Sequence, residues 1–559
     1  MKYNILIGGQ AGQGMDTISD FVEKVLKNKG FYVFSNKDYM SRVRGGNNFT
    51  QIRFGDEPIY SHNETLNLIV ALDKNTVEFH KERLIEKGKI FVDNNIEVED
   101  KRAIHLPFSG IAKELGLPRA AGMIAGAAIL KYFGISINGF ENFLSKKFND
   151  KVREINIQAV NRGYELVGTE KELNEVTSKD TLLIDGNSAI ALGALTAGVD
   201  FYSAYPMTPA TSIMTYLSKK QVEAGIVVEQ VEDEIAAINM AIGASYAGAR
   251  AMTGSSGGGF SLMVEALGLA GITETPLVVV DSQRPGPATG LPTRTEQSDL
   301  SFLVTASHGE FPRIVLSVRN AEDAFYQSFR AINLADKYQT VVLILTDQYI
   351  ADSKVTVPRY NTKNLKIERY VSDGSFLHNG EEYKRYKITE NGISPRLIPG
   401  IKENQTVLVD SDEHTEFSHI TESAEDRILQ MEKRMKKLEL AKQDIQEAEA
   451  FGAENPEYLI VGWGSTYGAI KEAVENLNKE GISVSALSFG DIYPLPEKLL
   501  REKASIAKKV INVEQNYTGQ LGKLITQETG ILMNNSILKY DGRQITATEI
   551  VNRFKNEVM

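Results

Sequence analysis

The sequence predicts an α/β protein with doubly wound parallel sheets. Continuous apolar runs of strand length, LVVVD at Leu277–Asp281 and TVVLILTD at Thr340–Asp347, suit strands covered on both faces. Strand-like and helix-like stretches alternate along most of the chain, the pattern of βα units. Loops rich in Gly, Pro, Ser and Thr fall where strands end, and ligands of open α/β sheets bind there. A chain of 559 residues exceeds one core. Composition shifts divide it into 1–175, 180–357, 358–455 and 456–559.

In the first stretch Asn4–Ile7 reads as a strand, GGQAGQG (Gly8–Gly14) as a loop and Met15–Lys27 as an amphipathic helix. Such a unit is able to cradle an anion on free N–H groups. The loop lacks the Lys-Ser/Thr of a phosphate loop, so a tight turn is the favoured reading. SRVRGGNNFTQIRF (Ser41–Phe54) sets Arg42, Arg44 and two glycines before a strand. Packing is the favoured role for that turn, and anion or coenzyme A contact is the other. Asn174–Asp180 reads as a polar linker.

The second stretch starts with a strand at Leu182–Asp185 and a helix at Ala189–Ala197, and its organising segment is Ala204–Leu300. AYPMTPATS opens that segment. A strand at Ile226–Val228 precedes an Ala/Gly-rich helix over Glu234–Ala251, expected to be buried on most sides. Glu229, Glu232, Asp233 and Glu234 crowd its start. Acids there complement the helix dipole, which accounts for one or two of the four. A carboxylate entering a buried helix beside other carboxylates should have a raised pKa, and that suits proton transfer. TGSSGGGFSLM (Thr253–Met263) and QRPGPATGLPTRTEQSDL (Gln283–Leu300) follow.

Residues 359–422 are charged and turn-rich, expected as short antiparallel strands and loops. Their DSDEH cluster reads as solvent-facing carboxylates rather than a metal site. Glu422–Phe451 reads as one long charged helix. The last stretch is a smaller α/β domain. Its strands fall at Tyr458–Gly462, Val484–Phe489 and Lys509–Glu514, and its helices at Ser465–Lys479 and Gly519–Glu528.

Net charge is −11, against non-specific nucleic-acid binding. Cysteine is absent, so this chain supplies no thiolate for a disulfide, a zinc site or an ordinary iron–sulfur cluster. Seven His, with no HExxH and no close pair, leave little case for a metal site here. No apolar run approaches the ~20 residues of a membrane helix, and MKYNILIGGQ does not read as a signal peptide. A cytoplasmic location without membrane partners is expected.

YPMTP (Tyr205–Pro209), EDEIAA (Glu232–Ala237), TGSSGGGFSLM and QRPGPATGLPTRTEQSDL together resemble the α subunit of the 2-oxoacid:ferredoxin oxidoreductases. The resemblance is to the two-subunit 2-oxoglutarate type, in which a γ domain is fused in front, and it spans nearly the whole chain. It implies a γ domain (1–175), a thiamine-diphosphate domain of the pyrimidine-binding half (180–357), an irregular segment with a linker helix (358–455) and a transketolase-like C-terminal domain (456–559). It also implies oxidative decarboxylation, with the acyl group passed to coenzyme A and electrons to ferredoxin. Residue by residue, Glu234 would activate thiamine diphosphate, and Tyr205, Pro206, Ser255, Ser256 and Gly257 would line the cofactor. Thr208, Arg284, Thr289 and Arg294 would hold the 2-oxoacid, with Thr208 and Arg284 also counted as catalytic. Each has a plainer reading: Thr208 as a helix cap, one arginine as the partner of an acid such as Glu296, and Ser255–Gly259 as a turn.

No GDG motif is present, and GDI at Gly490 lacks the expected follow-on. The cofactor would therefore be shared across an interface with a β subunit. That subunit would carry Mg²⁺ and a [4Fe–4S] cluster, in an (αβ)₂ assembly. 2-Oxoglutarate is favoured, while pyruvate and branched-chain 2-oxoacids stay open. Other classes are a non-catalytic scaffold subunit, a lipoamide-linked dehydrogenase component and a nucleotide-binding protein built on GGQAGQG.

Overall fold

The computed structural model describes residues 1–40, 46–141, 143–144, 148–173, 176, 180–378 and 380–559. Arg42 and Arg44 lie outside these, as does most of the expected linker at Asn174–Asp180. The chain forms two compact units. Among the described residues no helix is long and apolar enough to cross a membrane.

The first unit comprises residues 1–184, 352–359 and 546–548. Its eight-stranded mixed sheet runs in the order Ala103–Leu106, Leu84–Asp93, Leu66–Ala71, Lys2–Gly9, Asn48–Gly55, Tyr32–Asp38, Lys354–Pro358, Thr181–Asp185. The Leu182–Asp185 strand, expected to open the second domain, thus joins the first sheet. The reason is a long-range pairing: Lys354–Pro358 returns to this unit and pairs antiparallel with Tyr32–Asp38. Lys354 is held there by Glu23 at 2.9 Å and by Asp20 at 2.5 Å. The Gly8–Gly14 loop is filled by its own side chain. Gln13 accepts the Gln10 N–H at 2.6 Å and donates to the Leu72 carbonyl at 3.1 Å.

The second unit holds a seven-stranded sheet in the order Asp491–Tyr493, Arg313–Ser317, Val341–Asp347, Leu277–Gln283, Ala251–Ser255, Phe201–Ala204, Val227–Gln230. Every pairing is parallel except that of Asp491–Tyr493. The three central strands are buried along their whole length. Each such Val, Ile or Leu contributes about 1.5–3 kcal/mol against exposure. The chain leaves Phe201–Ala204 toward one edge and leaves Ala251–Ser255 toward the other. The sheet's switch point therefore opens between these two adjacent strands, where ligand crevices form.

A five-stranded sheet (Glu449–Gly452, Val484–Phe489, Tyr458–Trp463, Lys509–Glu514, Asn535–Leu538) completes this unit. Asp491, from the GDI triplet, is an anchor that pairs with Arg330 at 2.8 Å and accepts from Gln327 at 2.9 Å.

Two expectations change in the middle of the chain. Among the described residues of 360–423 there is one isolated antiparallel bridge, His414 to Ile420, rather than strands. The expected helix over Glu422–Phe451 stops at Ala441, and Glu449–Gly452 is a strand. That helix buries Gln430, Lys433, Arg434 and Lys437 on one face. Lys433 and Lys437 converge on the buried carboxylate of Glu274, Lys433 at 2.7 Å. Burial opposes ionisation of Glu274, but Lys433, Lys437 and Arg385 outweigh it and hold the carboxyl well below its usual range. Within DSDEH, Glu413 bridges Arg427 and Arg434, and His414 stacks on Tyr386.

Candidate active site

The switch point brings three loops together. Tyr205–Pro209 follows the strand Phe201–Ala204. Ser256–Gly259 opens the helix Gly257–Ile272 after the strand Ala251–Ser255. Arg284 follows the strand Leu277–Gln283. The helix Glu234–Tyr246 starts with Asp233 as its cap, whose carboxylate accepts the Ala236 N–H at 2.7 Å.

Of the four crowded acids, only Glu234 turns inward. It is 3% exposed, whereas Glu229 and Glu232 are exposed and Asp233 caps. Ser255 donates to Glu234 Oε1 at 3.3 Å, and no other described residue donates a hydrogen bond to the Glu234 carboxylate. Gly259 makes room for the pair: a Cβ there would lie 2.1 Å from Ser255 Oγ and 2.4 Å from Glu234 Oε1. The helix is two-faced rather than buried on most sides. Ala237, Ile238, Ala241 and Ile242 point to the core, while Ile235 (50%) and Met240 (41%) are exposed. It ends at Tyr246, because Ala251 belongs to the next central strand.

Met207 and Asn187, neither singled out from sequence, fix the Tyr205–Pro209 loop. Ser256 Oγ lies 2.8 Å from Met207 Sδ. Buried Asn187 donates to the Pro209 carbonyl and to Ser212 Oγ, each at 2.8 Å. Arg284 Nη1 donates to the Thr208 carbonyl at 2.8 Å, joining this loop to the third. Burial lowers the pKa of the half-buried Arg284. Thr208 precedes its helix by three residues and makes no side-chain cap there.

Glu234, Ser255, Ser256, Gly257, Thr208 and Arg284 are thus brought together at the switch point. Tyr205 (39% exposed) and Pro206 stand at its rim. Thr289 is exposed at the tip of the 284–294 loop, which is turned by Ala288 and Gly290 in the left-handed region. Arg294 is half-buried beyond that turn. Glu296 is pushed up to about 7 by burial and by the charges of Asp299 and Asp541.

A carboxyl pair lies beneath the Gly257 turn. Asp281 is fully buried, and its pKa is raised well above the ordinary value by burial and by Asp299. Burial raises Asp299 to about 6, so the two share a proton near neutrality. A Cβ on Gly257 would lie 2.4 Å from Asp299 Oδ2. Spacing did not single this pair out, because the two acids lie in different elements.

The residues suit a thiamine ring: a buried carboxylate keeps Oε2 without a described partner, and Gly259 lets the backbone approach it closely.

Known proteins show the same organisation. The family model described as "Pyruvate flavodoxin/ferredoxin oxidoreductase, thiamine diP-bdg" matches residues 192–433. "Pyruvate ferredoxin/flavodoxin oxidoreductase" matches 4–166, and "Pyruvate:ferredoxin oxidoreductase core domain II" matches 456–550. A 2-oxoacid:ferredoxin oxidoreductase subunit alpha from Sulfolobus sp is 34% identical over 98% of this chain and 96% of its own length. The 2-oxoglutarate oxidoreductase subunit KorA of Mycobacterium tuberculosis is 28% identical over 98% of this chain and 90% of its own. A solved 2-oxoglutarate:ferredoxin oxidoreductase from Magnetococcus marinus, with 2-oxoglutarate, coenzyme A and succinyl-CoA bound, superposes with a TM-score of 0.92 at 34% identity, covering both chains fully.

Proposed function

The chain belongs to the α subunits of the 2-oxoacid:ferredoxin oxidoreductases, and from that premise we propose that it oxidises 2-oxoglutarate in a complex with a β subunit. The single observation that carries the site assignment is the buried Glu234 carboxylate, open on one oxygen and set beside Gly257–Gly259 at the switch point.

Thiamine diphosphate, when bound, supplies a ring carbon that adds to the 2-oxo group and accepts the electron pair released with CO₂. Glu234 would hold its carboxylate toward the aminopyrimidine and would shift that ring's proton balance. Ser255 orients Glu234 through Oε1. Arg284 offers its planar fork to the substrate's C1 carboxylate. Its bond to the Thr208 carbonyl ties the Tyr205–Pro209 loop to the loop that would hold the substrate. Thr289 and Arg294 complete the substrate loop.

This chain has no cysteine, so the iron–sulfur cluster that takes the electrons resides on the partner, with the Mg²⁺–diphosphate site. Exposed Ile235, Met240 and Leu262, on the two helices that start at the site, supply the apolar face for that subunit. An (αβ)₂ complex in the cytoplasm, reducing ferredoxin and acylating coenzyme A, is the resulting reading. The relatives named for 2-oxoglutarate favour that acid, and the pyruvate of the family models makes pyruvate the comparison substrate.

The test is anaerobic co-expression with the β subunit, then coenzyme A-dependent dye reduction with each 2-oxoacid. Wild type should prefer 2-oxoglutarate. Glu234→Gln should assemble and lose at least about 100-fold in kcat. A fully active Glu234→Gln complex would sink the assignment, and preference for pyruvate would change the substrate.

A further inference from the structure

The segment that follows Arg294 is gripped by the C-terminal domain through a buried node. Gln297 is fully buried, and all four of its hydrogen-bonding groups bind that domain. Its N–H donates to the Gln515 carbonyl at 2.7 Å, and its Oε1 accepts the Gln515 N–H at 3.0 Å. Its Nε2 donates to the Trp463 carbonyl at 2.8 Å, and its carbonyl accepts from Asn516 Nδ2 at 2.9 Å. The next residues are held likewise. Gln520 donates to the Ser298 carbonyl at 2.7 Å and accepts the Ser301 N–H at 2.8 Å. Gly464 is required at the contact, since a Cβ there would sit 2.7 Å from Gln297 Nε2.

Glu514, also fully buried, braces the gripping strand. Four donors saturate it: Trp463 Nε1, Asn516 Nδ2, Asn512 Nδ2 and the Gly522 N–H, at 2.7 to 3.1 Å. Upstream, residues 284–294 run through an exposed tip over Gly286–Leu291. The loop therefore has two fixed ends, Arg284 just after its strand and Gln297 on the C-terminal domain. Gly542 of the same domain also approaches Leu291 and Arg294: a Cβ there would lie 2.9 Å from Leu291 and 3.2 Å from Arg294. Three residues of chain span at most about 10 Å, so a shift at Gln297 is transmitted directly to Arg294.

We propose that Gln297 is a positioning residue for the 2-oxoacid site, through which residues 463–464 and 514–520 of the C-terminal domain set the geometry of the loop carrying Arg284, Thr289 and Arg294. This deepens the function above and rests on that loop holding the substrate. Buried amide hubs of this kind are costly to leave half-satisfied, and misplacement of a binding group by about 1 Å costs on the order of 100-fold in rate.

The experiment measures kcat, the KM for 2-oxoglutarate, the KM for coenzyme A and Tm in the αβ complex of wild type, Gln297→Glu, Gln520→Ala and Arg284→Ala. Gln297→Glu keeps shape and the acceptor but loses the donor to Trp463. It should raise the 2-oxoacid KM at least about tenfold with the coenzyme A KM within about twofold. Gln520→Ala should raise the 2-oxoacid KM about three- to fivefold at nearly unchanged Tm. Should Gln297→Glu not assemble, Gln520→Ala alone decides. A 2-oxoacid KM within twofold of wild type in the assembled variants overturns the proposal, as does a loss confined to Tm. If Arg284→Ala also leaves that KM unchanged, the reading of the loop as the substrate site falls. If Arg284→Ala raises it and the other two do not, only the positioning role falls.

Discussion

Two glycine-rich loops in this chain share one local plan, and only the second receives a carboxylate from another helix. Gly8–Gly14 and Ser255–Gly259 each follow a buried strand and open a helix of fourteen or more residues. In the first, the loop closes on itself. A Cβ on Gly9 would touch Gln13 Oε1 at 2.4 Å, because that amide already fills the space where an anion would sit. In the second, Gly259 leaves room for Ser255 and for a carboxylate brought by a different helix. A strand–glycine–helix unit becomes a site when another element delivers a functional group into it.

The comparison breaks most readily at Gly259. Gly259→Ala would press on Ser255 Oγ and Glu234 Oε1 from 2.1 and 2.4 Å. We expect about a 100-fold fall in kcat in the assembled complex, with a stability cost of about 1–3 kcal/mol. An active Gly259→Ala enzyme would show that the close approach to Glu234 has no role in catalysis.

The next effect probes the acid pair under the second loop. The Asp299 carboxyl is raised from 3.8 to about 6. Below pH 4 both folded and unfolded chains hold this proton, and no cost arises. Between pH 4 and 6 the folded protein keeps a proton the unfolded chain has released, so stability falls as pH rises. Above pH 6 the cost is constant. Asp299→Asn removes this cost, and no helix cap is lost because the Asp299 side chain makes no cap bond. The variant should gain a few degrees in Tm over wild type at pH 7.5 and much less at pH 4.5. An equal gain at both would mean that the proton is not held in the folded state.

How much of this was legible depended on where the information lies along the chain. The parallel sheet was readable because LVVVD and TVVLILTD are buried on both faces, and their boundaries shift by only a residue or two. Inward placement of Glu234 was suggested by a carboxylate running into an apolar helix. Three kinds of feature escaped. The strand Thr181–Asp185 joins the first sheet through residues about 170 positions later. Lys433 and Lys437 lie in a stretch that reads only as a long charged helix, yet both are buried on Glu274, a partner some 160 residues away. Asp281, Asp299 and Gln297 gain their meaning only from contacts between elements. Local periodicity carries strands and helices, whereas buried polar pairs are fixed by tertiary neighbours that no window contains.

The smallest effect belongs to the first loop. Gln13→Ala removes two hydrogen bonds, to the Gln10 N–H and the Leu72 carbonyl, both at an exposed edge. A loss of about 0.5–1.5 kcal/mol is expected in the stability of the first unit. Activity of the complex should stay within about twofold, since the side chain fills a turn and touches no reacting group. Isothermal titration of nucleoside phosphates should give no binding to wild type, where the amide occupies the cradle. Binding that appears only in Gln13→Ala would show that the loop retains the geometry of an anion site and that one side chain holds it shut. Binding already present in wild type would remove the distinction between the two loops.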